Sequence, residues 1–174
     1  REWQPAALVV GRPTSVQVGA NDGVRADHLH QFIIGGGWQG VLVEPAPKPF
    51  ERLLQTYRGI AGLQVVQSAV STSAGRLPFH YVEGEDGLSG FSLDTILAHA
   101  PKYDDLQGMI RTIEVETETL DSLCDRTGVS RPDVVAVDTE GTDDIVLQSF
   151  ALEERRPSLI LFEHRHLPAD RSAA

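Results

Sequence analysis

The strongest constraint on this chain is an alternation. Short, unbroken apolar runs are each followed by a stretch with the apolar spacing of a helix. The runs cover residues 15–18, 41–44, 63–66, 134–138 and 159–162, and amphipathic stretches at 25–34 and 49–58 separate the first three. A strand that is apolar along its whole length is buried on both faces, which happens when helices cover both sides of a parallel sheet. The pattern therefore predicts the α/β class, with a mostly parallel sheet.

Residues 77–120 break this rhythm. Segments 77–82 and 113–117 alternate polar with apolar side chains and read as antiparallel or edge strands. Between them, 84–90 reads as a Gly- and acid-rich loop, and 96–106 as weakly helical. The expectation is a single domain over 1–174, with an insertion at 77–120 over the carboxyl edge of the sheet, where open α/β folds bind substrates. Beyond it, Thr119 can cap a helix over 121–127 that Gly128 closes. A further helix over 143–150 leads through Pro157 to the last strand, and 167–174 reads as a tail.

Two glycine clusters compete for the role of phosphate loop. Gly35, Gly37 and Gly40 match G-x-G-x-x-G literally, but they follow a helix and precede a strand. The motif needs the opposite order, in which the glycines leave a strand and open a helix. The right context is VQVGANDG at 16–23, a strand running straight into Gly19. There Asn21 and Val24 stand where the second and third glycines would be. Asp22 would repel a pyrophosphate but would suit the ammonium of a methionine group, which favours S-adenosylmethionine over a nicotinamide dinucleotide. Glu44, 21 residues beyond Gly23, can accept both hydroxyls of a ribose. After the third strand, Ser68 and Ala69 are small enough to let an adenine lie against the sheet edge.

Composition limits the partners. With 25 acidic against 15 basic residues, the formal net charge is −10, which repels nucleic acid and anionic lipid alike. No run of about 18 apolar residues is present to span a membrane. There is no secretory pattern either, although the first residue is Arg1, so an upstream segment stays open. The single cysteine, Cys124, cannot form an internal disulfide and suits a reducing cytoplasm. It reads as a buried helix residue. A neutral or cationic small molecule is the expected partner, and a homodimer stays open.

Taken together, VQVGANDG at 16–23, GWQGVLVEPAPKPFERL at 37–53, VVQSAVS at 65–71, TLDSL at 119–123, DVVAVDTEGTDDIVLQSF at 133–150 and LILFEH at 159–164 resemble the FkbM family of methyltransferases, in the family's order. The resemblance implies a Rossmann-like class I methyltransferase fold that binds S-adenosylmethionine at the first strand–helix loop. The residues implied for the cofactor are Gly19, Ala20, Asn21, Asp22, Gly23, Glu44, Pro45, Ser68, Ala69 and Asp138. The implied activity is methyl transfer to a hydroxyl of a small metabolite or sugar. Such a sheet usually carries two more strands after residue 162, which are expected to be missing here or trimmed in the family. The family commonly has D-x-E-G-x-E where this chain has Asp138-Thr139-Glu140-Gly141-Thr142-Asp143.

Methyl transfer to an alcohol needs an in-line approach to about 3 Å and a nearby base. In this topology the ends of the fourth and fifth strands supply Asp138, Glu140, Glu163, His164 and His166. Asp138 is expected to touch the cofactor's methionine part or the acceptor. His164 is the expected base, since an imidazole takes a proton near neutral pH; its plainer role is a strand cap. Glu140 could act at the site or fix the helix that follows. Asp138, Glu140, Asp143 and Asp144, with the two histidines, could in principle hold a metal. The helix dipole accounts for Asp143 and Asp144 without one, so none is expected. His28 and His30 are expected on the surface, and Trp3 and Trp38 in packing roles. Two rival readings are a non-catalytic cofactor-binding domain and a nicotinamide oxidoreductase. The second lacks a Tyr-x-x-x-Lys pair, the only lysines being Lys48 and Lys102.

Overall fold

The structure is a computed structural model that describes residues 11–25 and 27–163. Five parallel strands form the main sheet: β1 (Thr14–Val18), β2 (Gln39–Val43), β3 (Leu63–Val66), β8 (Val134–Val137) and β9 (Leu159–Phe162), in the order β3-β2-β1-β8-β9. All five fall where the apolar runs predict them. The strand order reverses between β1 and β8, and that switch point opens a crevice at the carboxyl ends of the two strands.

Helices cover both faces. α1 (His30–Gly36) and α2 (Pro47–Thr56) pack Leu29, Ile33 and Leu53 against Leu42 and Val134 on one side. On the other, α5 (Leu120–Thr127) and α6 (Asp143–Gln148) pack Leu120, Leu123 and Val146 against Val16, Val41 and Val135. Cys124 is buried in that second layer, and burial raises its thiol pKa to about 11, so it is a core residue and not a nucleophile. Thr119 caps α5 through Ser122 N, and Gly128 closes it in the left-handed conformation, as expected. α1 starts five residues later than its spacing predicts. Asp27 Oδ1 accepts from Leu29 N (2.7 Å) and His30 N (3.2 Å), a local turn that competes with the helix.

A second sheet, ordered β4-β7-β5-β6, is built from β4 (Ala69–Val70), β5 (Gly75–Val82), β6 (Glu85–Gly90) and β7 (Ile110–Glu118). The antiparallel pairing of β5 with β7 agrees with the sequence. The expected loop at 84–90 is instead strand β6, joined to β5 by a turn at Gly84 (φ 91°). Its Gly, Asp and Glu content hides a strand that exists only through its pairing with β5. Helix α3 (Leu93–Leu97), a 3-10 turn at Ala100–Lys102 and α4 (Leu106–Met109) break up the stretch expected to be weakly helical. The short α7 (Leu152–Arg155) precedes β9. Among the described residues, no helix is long and apolar enough to cross a membrane.

The rejected glycine cluster serves the fold. Gly37 ends α1 at φ 65°, and Gly40 lets β2 close on β1, since a Cβ there would lie 1.8 Å from Ser15 O. Gly40→Ala should therefore cost about 3 kcal/mol or more in denaturant unfolding. Gly35→Ala, in open space on α1, should be neutral or stabilise by up to about 1 kcal/mol. Equal, small effects at both positions would contradict this packing.

Candidate active site

A cavity of about 770 Å³ opens at the carboxyl ends of β2, β1, β8 and β9. Its floor is the loop after β1, where Gly19 (φ 79°) allows the two strand ends to approach: a Cβ would lie 1.8 Å from Asp138 O. Asn21 is also in the left-handed region (φ 48°). The roof is the β5–β6 hairpin, which contributes Phe79, Asp86, Gly87 and Ser89, with Phe91 just beyond. These roof residues are absent from the sequence reading, and the turn glycine Gly84 was the available signal for the hairpin.

Hairpin and loop are tied together. Asn21 Nδ2 donates to Asp86 O (3.1 Å), and the Asp86 carboxylate pairs with Arg52 (2.6 Å) and Arg25 (3.6 Å).

Of the residues expected around a cofactor, Gly19, Ala20, Asn21, Glu44, Pro45, Ala69 and Asp138 line the cavity; Asp22, Gly23 and Ser68 do not. The Asp22 carboxylate turns back on its own loop and accepts from Val24 N and Arg25 N (both 2.9 Å). Its expected attraction for an ammonium group is therefore not what gives the cavity its charge. Ser68 faces β7, with its hydroxyl 3.2 Å from Glu118 Oε1. Glu44 is buried and bridges two elements, accepting from Asn21 N (2.9 Å) and Ala46 N (2.8 Å). Burial, only partly offset by these bonds, raises its pKa to about 7.

Six of the loop's backbone donors are spent inside the protein. Gly19 N and Ala20 N both donate to Val43 O, Gly23 N donates to Ala20 O, and the amides of Asn21, Val24 and Arg25 go to carboxylates. Two side-chain acceptors are left over: Gln17 Oε1 and Asn21 Oδ1 are buried without a hydrogen-bond partner, on residues that line the cavity. Gln17 is held by its other end, since its Nε2 donates to Asp27 Oδ1 (3.1 Å).

At the far end, oxygens of Asp138, Glu140 and Glu163 lie within 4.8 Å of one another. Such a set of hard oxygen donors can hold a divalent cation or the positive part of a ligand. Glu140 (φ 54°) has its pKa raised to about 7, first by burial and then by Asp138, Glu163 and Asp143. Asp143 has a structural role that the sequence reading assigned to the helix dipole. Fully buried, it accepts from Thr139 N (3.2 Å), Thr139 Oγ1 (2.8 Å) and Glu163 N (3.1 Å), tying the ends of β8 and β9 together. His164 and His166 lie outside the described residues, as does Trp3. His28 is exposed but lines the cavity. His30, expected on the surface, is half-buried with its ring 3.2 Å from Tyr57 OH. Trp38 packs against Phe32.

Residues 17–173 match the family described as the Methyltransferase FkbM domain. The chain belongs to this family. It is 24% identical over 138 residues to the 2-O-methyltransferase NoeI of Sinorhizobium fredii (strain NBRC 101917 / NGR234), a match covering 78% of this chain and 56% of that protein. Its fold is similar to the crystal structure of Methyltransferase FkbM from Methylobacillus flagellatus KT, with a TM-score of 0.58 and 14% identity over 93% of this chain and 36% of that one. The chain thus spans about half the length of one relative and about a third of the other. The chain shares the α/β fold of that FkbM methyltransferase structure, a parallel sheet with helices on both faces, which is class I methyltransferase-like.

The raised pKa of Glu140 predicts a pH-dependent cost. A carboxyl whose folded-state pKa lies above its unfolded value destabilises the fold progressively as pH rises from about 4.5 to about 7. Glu140→Gln should match the parent near pH 4.5 and melt a few degrees higher above pH 7. A melting difference that stays flat with pH would contradict the assignment.

Proposed function

We propose that this chain forms the cofactor-binding part of an S-adenosylmethionine-dependent O-methyltransferase acting on a hydroxyl of a small metabolite or sugar. The observation that carries this reading is the fate of the loop's amides. A pyrophosphate is held by free N–H groups in the loop and at the helix start. Here Asp27 and Asp22 occupy those donors, along with Glu44 and Val43 O.

Acceptors predominate among the residues that line the cavity: Gln17 and Asn21, each with a buried side-chain oxygen that lacks a partner, and the carboxylates Asp27, Glu44, Asp86, Asp138, Glu140 and Glu163, against Arg25, His28 and the hydroxyls of Ser89, Thr139 and Thr142. They suit a ligand rich in donors and positive charge, and buried acceptors without a partner gain most from one. S-adenosylmethionine offers an ammonium, two ribose hydroxyls and an adenine amino group, and when bound it supplies a methyl group activated on a sulfonium.

The chain's residues then divide the work. Glu44 keeps lone pairs for the ribose hydroxyls beyond the two amides it already binds. Asp138 receives the positively charged end. Glu140, with a pKa near 7, takes the proton from the acceptor hydroxyl at neutral pH. Phe91, Leu161 and Phe162 supply apolar wall that limits water. The name of the NoeI relative favours oxygen as the atom methylated. The second reading is cofactor binding without turnover.

Calorimetric titration with S-adenosylhomocysteine, run in parallel with NADH, tests the proposal. Micromolar binding of the former alone is expected. Binding of NADH alone, or of neither compound, would overturn the cofactor assignment. Binding without turnover across a panel of hydroxylated acceptors would favour the second reading.

A further inference from the structure

The loop after β1 is held from behind by residues that never reach the cavity. Thr56 ends α2 and Tyr57 follows it directly. Thr56 Oγ1 donates to Asp22 O (2.8 Å), and Tyr57 OH lies 3.0 Å from Gly23 O, so consecutive hydroxyls meet consecutive carbonyls of the loop. The same phenol lies 3.2 Å from Asp27 Oδ2 and 3.2 Å from His30 Nδ1. Asp27 Oδ1 in turn takes Gln17 Nε2, and so holds a residue that lines the cavity. The Tyr57 ring also fills the space beneath Gly23, where a Cβ would meet it at 2.4 Å. Tyr57 is only 4% exposed, and neither Thr56 nor Tyr57 lines the cavity.

The loop needs such support, because Asn21 sits in a backbone conformation that a non-glycine residue adopts at a cost. We infer that Thr56 and Tyr57 are positioning residues for cofactor binding: Thr56 holds the Asp22 carbonyl and Tyr57 shares its one phenolic proton between the Gly23 carbonyl and the Asp27 carboxylate, so that the Gly19–Asn21 floor and the Gln17 side chain are pre-formed before the ligand arrives. This rests on the cofactor reading above. Without the clamp, the binding-competent loop is only partly populated and apparent affinity falls by that fraction. Burial and the charge of Asp27 raise the phenol's pKa, so Tyr57 stays a donor throughout the working pH range.

The test uses the full chain with Tyr57→Phe, Thr56→Val, the double variant and Thr56→Ser. Each hydroxyl removal should weaken S-adenosylhomocysteine binding about three- to tenfold, the scale of one lost hydrogen bond. Thr56→Ser should bind within about twofold of the parent. Amide hydrogen exchange at residues 23–25 without ligand should speed up about tenfold in the double variant, on the same scale. If the parent binds and the double variant binds equally well, or if Thr56→Ser is as weak as Thr56→Val, the clamp is overturned. A parent that fails to bind would sink the cofactor reading instead. The exchange measurement would still decide the clamp, and unchanged exchange would reject it.

Discussion

Between β1 and α1 the amides of Gly19, Ala20, Asn21, Gly23, Val24, Arg25 and Leu29 are spent on the protein itself, and the character of the cavity follows from that. In a phosphate-binding loop these donors point outward and the helix start is bare. Here Val43 O, Glu44, Asp22 and Asp27 take those amides, and acceptors predominate among the side chains that line the cavity. Glu44 is central, because one carboxylate joins the loop after β1 to the start of α2 through Asn21 N and Ala46 N. Burying it costs enough to raise its pKa to about 7, and the cost is borne where a ligand with donors would relieve it.

The second sheet completes this arrangement from above. Its β5–β6 hairpin places Asp86 between Arg25 and Arg52 and gives Asn21 Nδ2 a backbone oxygen. That bond fixes the amide so that Oδ1, the end without a partner, is the one left over. Asp143 plays the matching role at the other end, where it holds Thr139 and Glu163 and so gathers Asp138, Glu140 and Glu163 into one cluster. Two buried carboxylates, Glu44 and Asp143, thus shape opposite ends of the cavity without either being read from the sequence as a structural tie.

The main sheet was legible because burial on both faces leaves unbroken apolar runs, and β3 and β9 fall on the expected residues. The rejection of Gly35–Gly40 also follows from strand–helix order alone, and Gly40 proves to be a packing glycine. The turn-capping bonds of Asp22 were not legible, because a sequence does not show that a loop carboxylate caps its own turn. Strand β6 was missed because its residues have low strand propensity and their pairing with β5 is a tertiary effect. The orphaned oxygens of Gln17 and Asn21 depend on which partners each amide nitrogen finds, and that only the folded structure shows.

The most direct test of a cavity built from acceptors is a crystal structure with S-adenosylhomocysteine bound. The account predicts the ligand across the ends of β2, β1 and β8, with its donors within hydrogen-bonding distance of Glu44, Asn21 Oδ1 and Gln17 Oε1. A ligand seated elsewhere, or one that reaches the cavity and leaves those oxygens without partners, would contradict it.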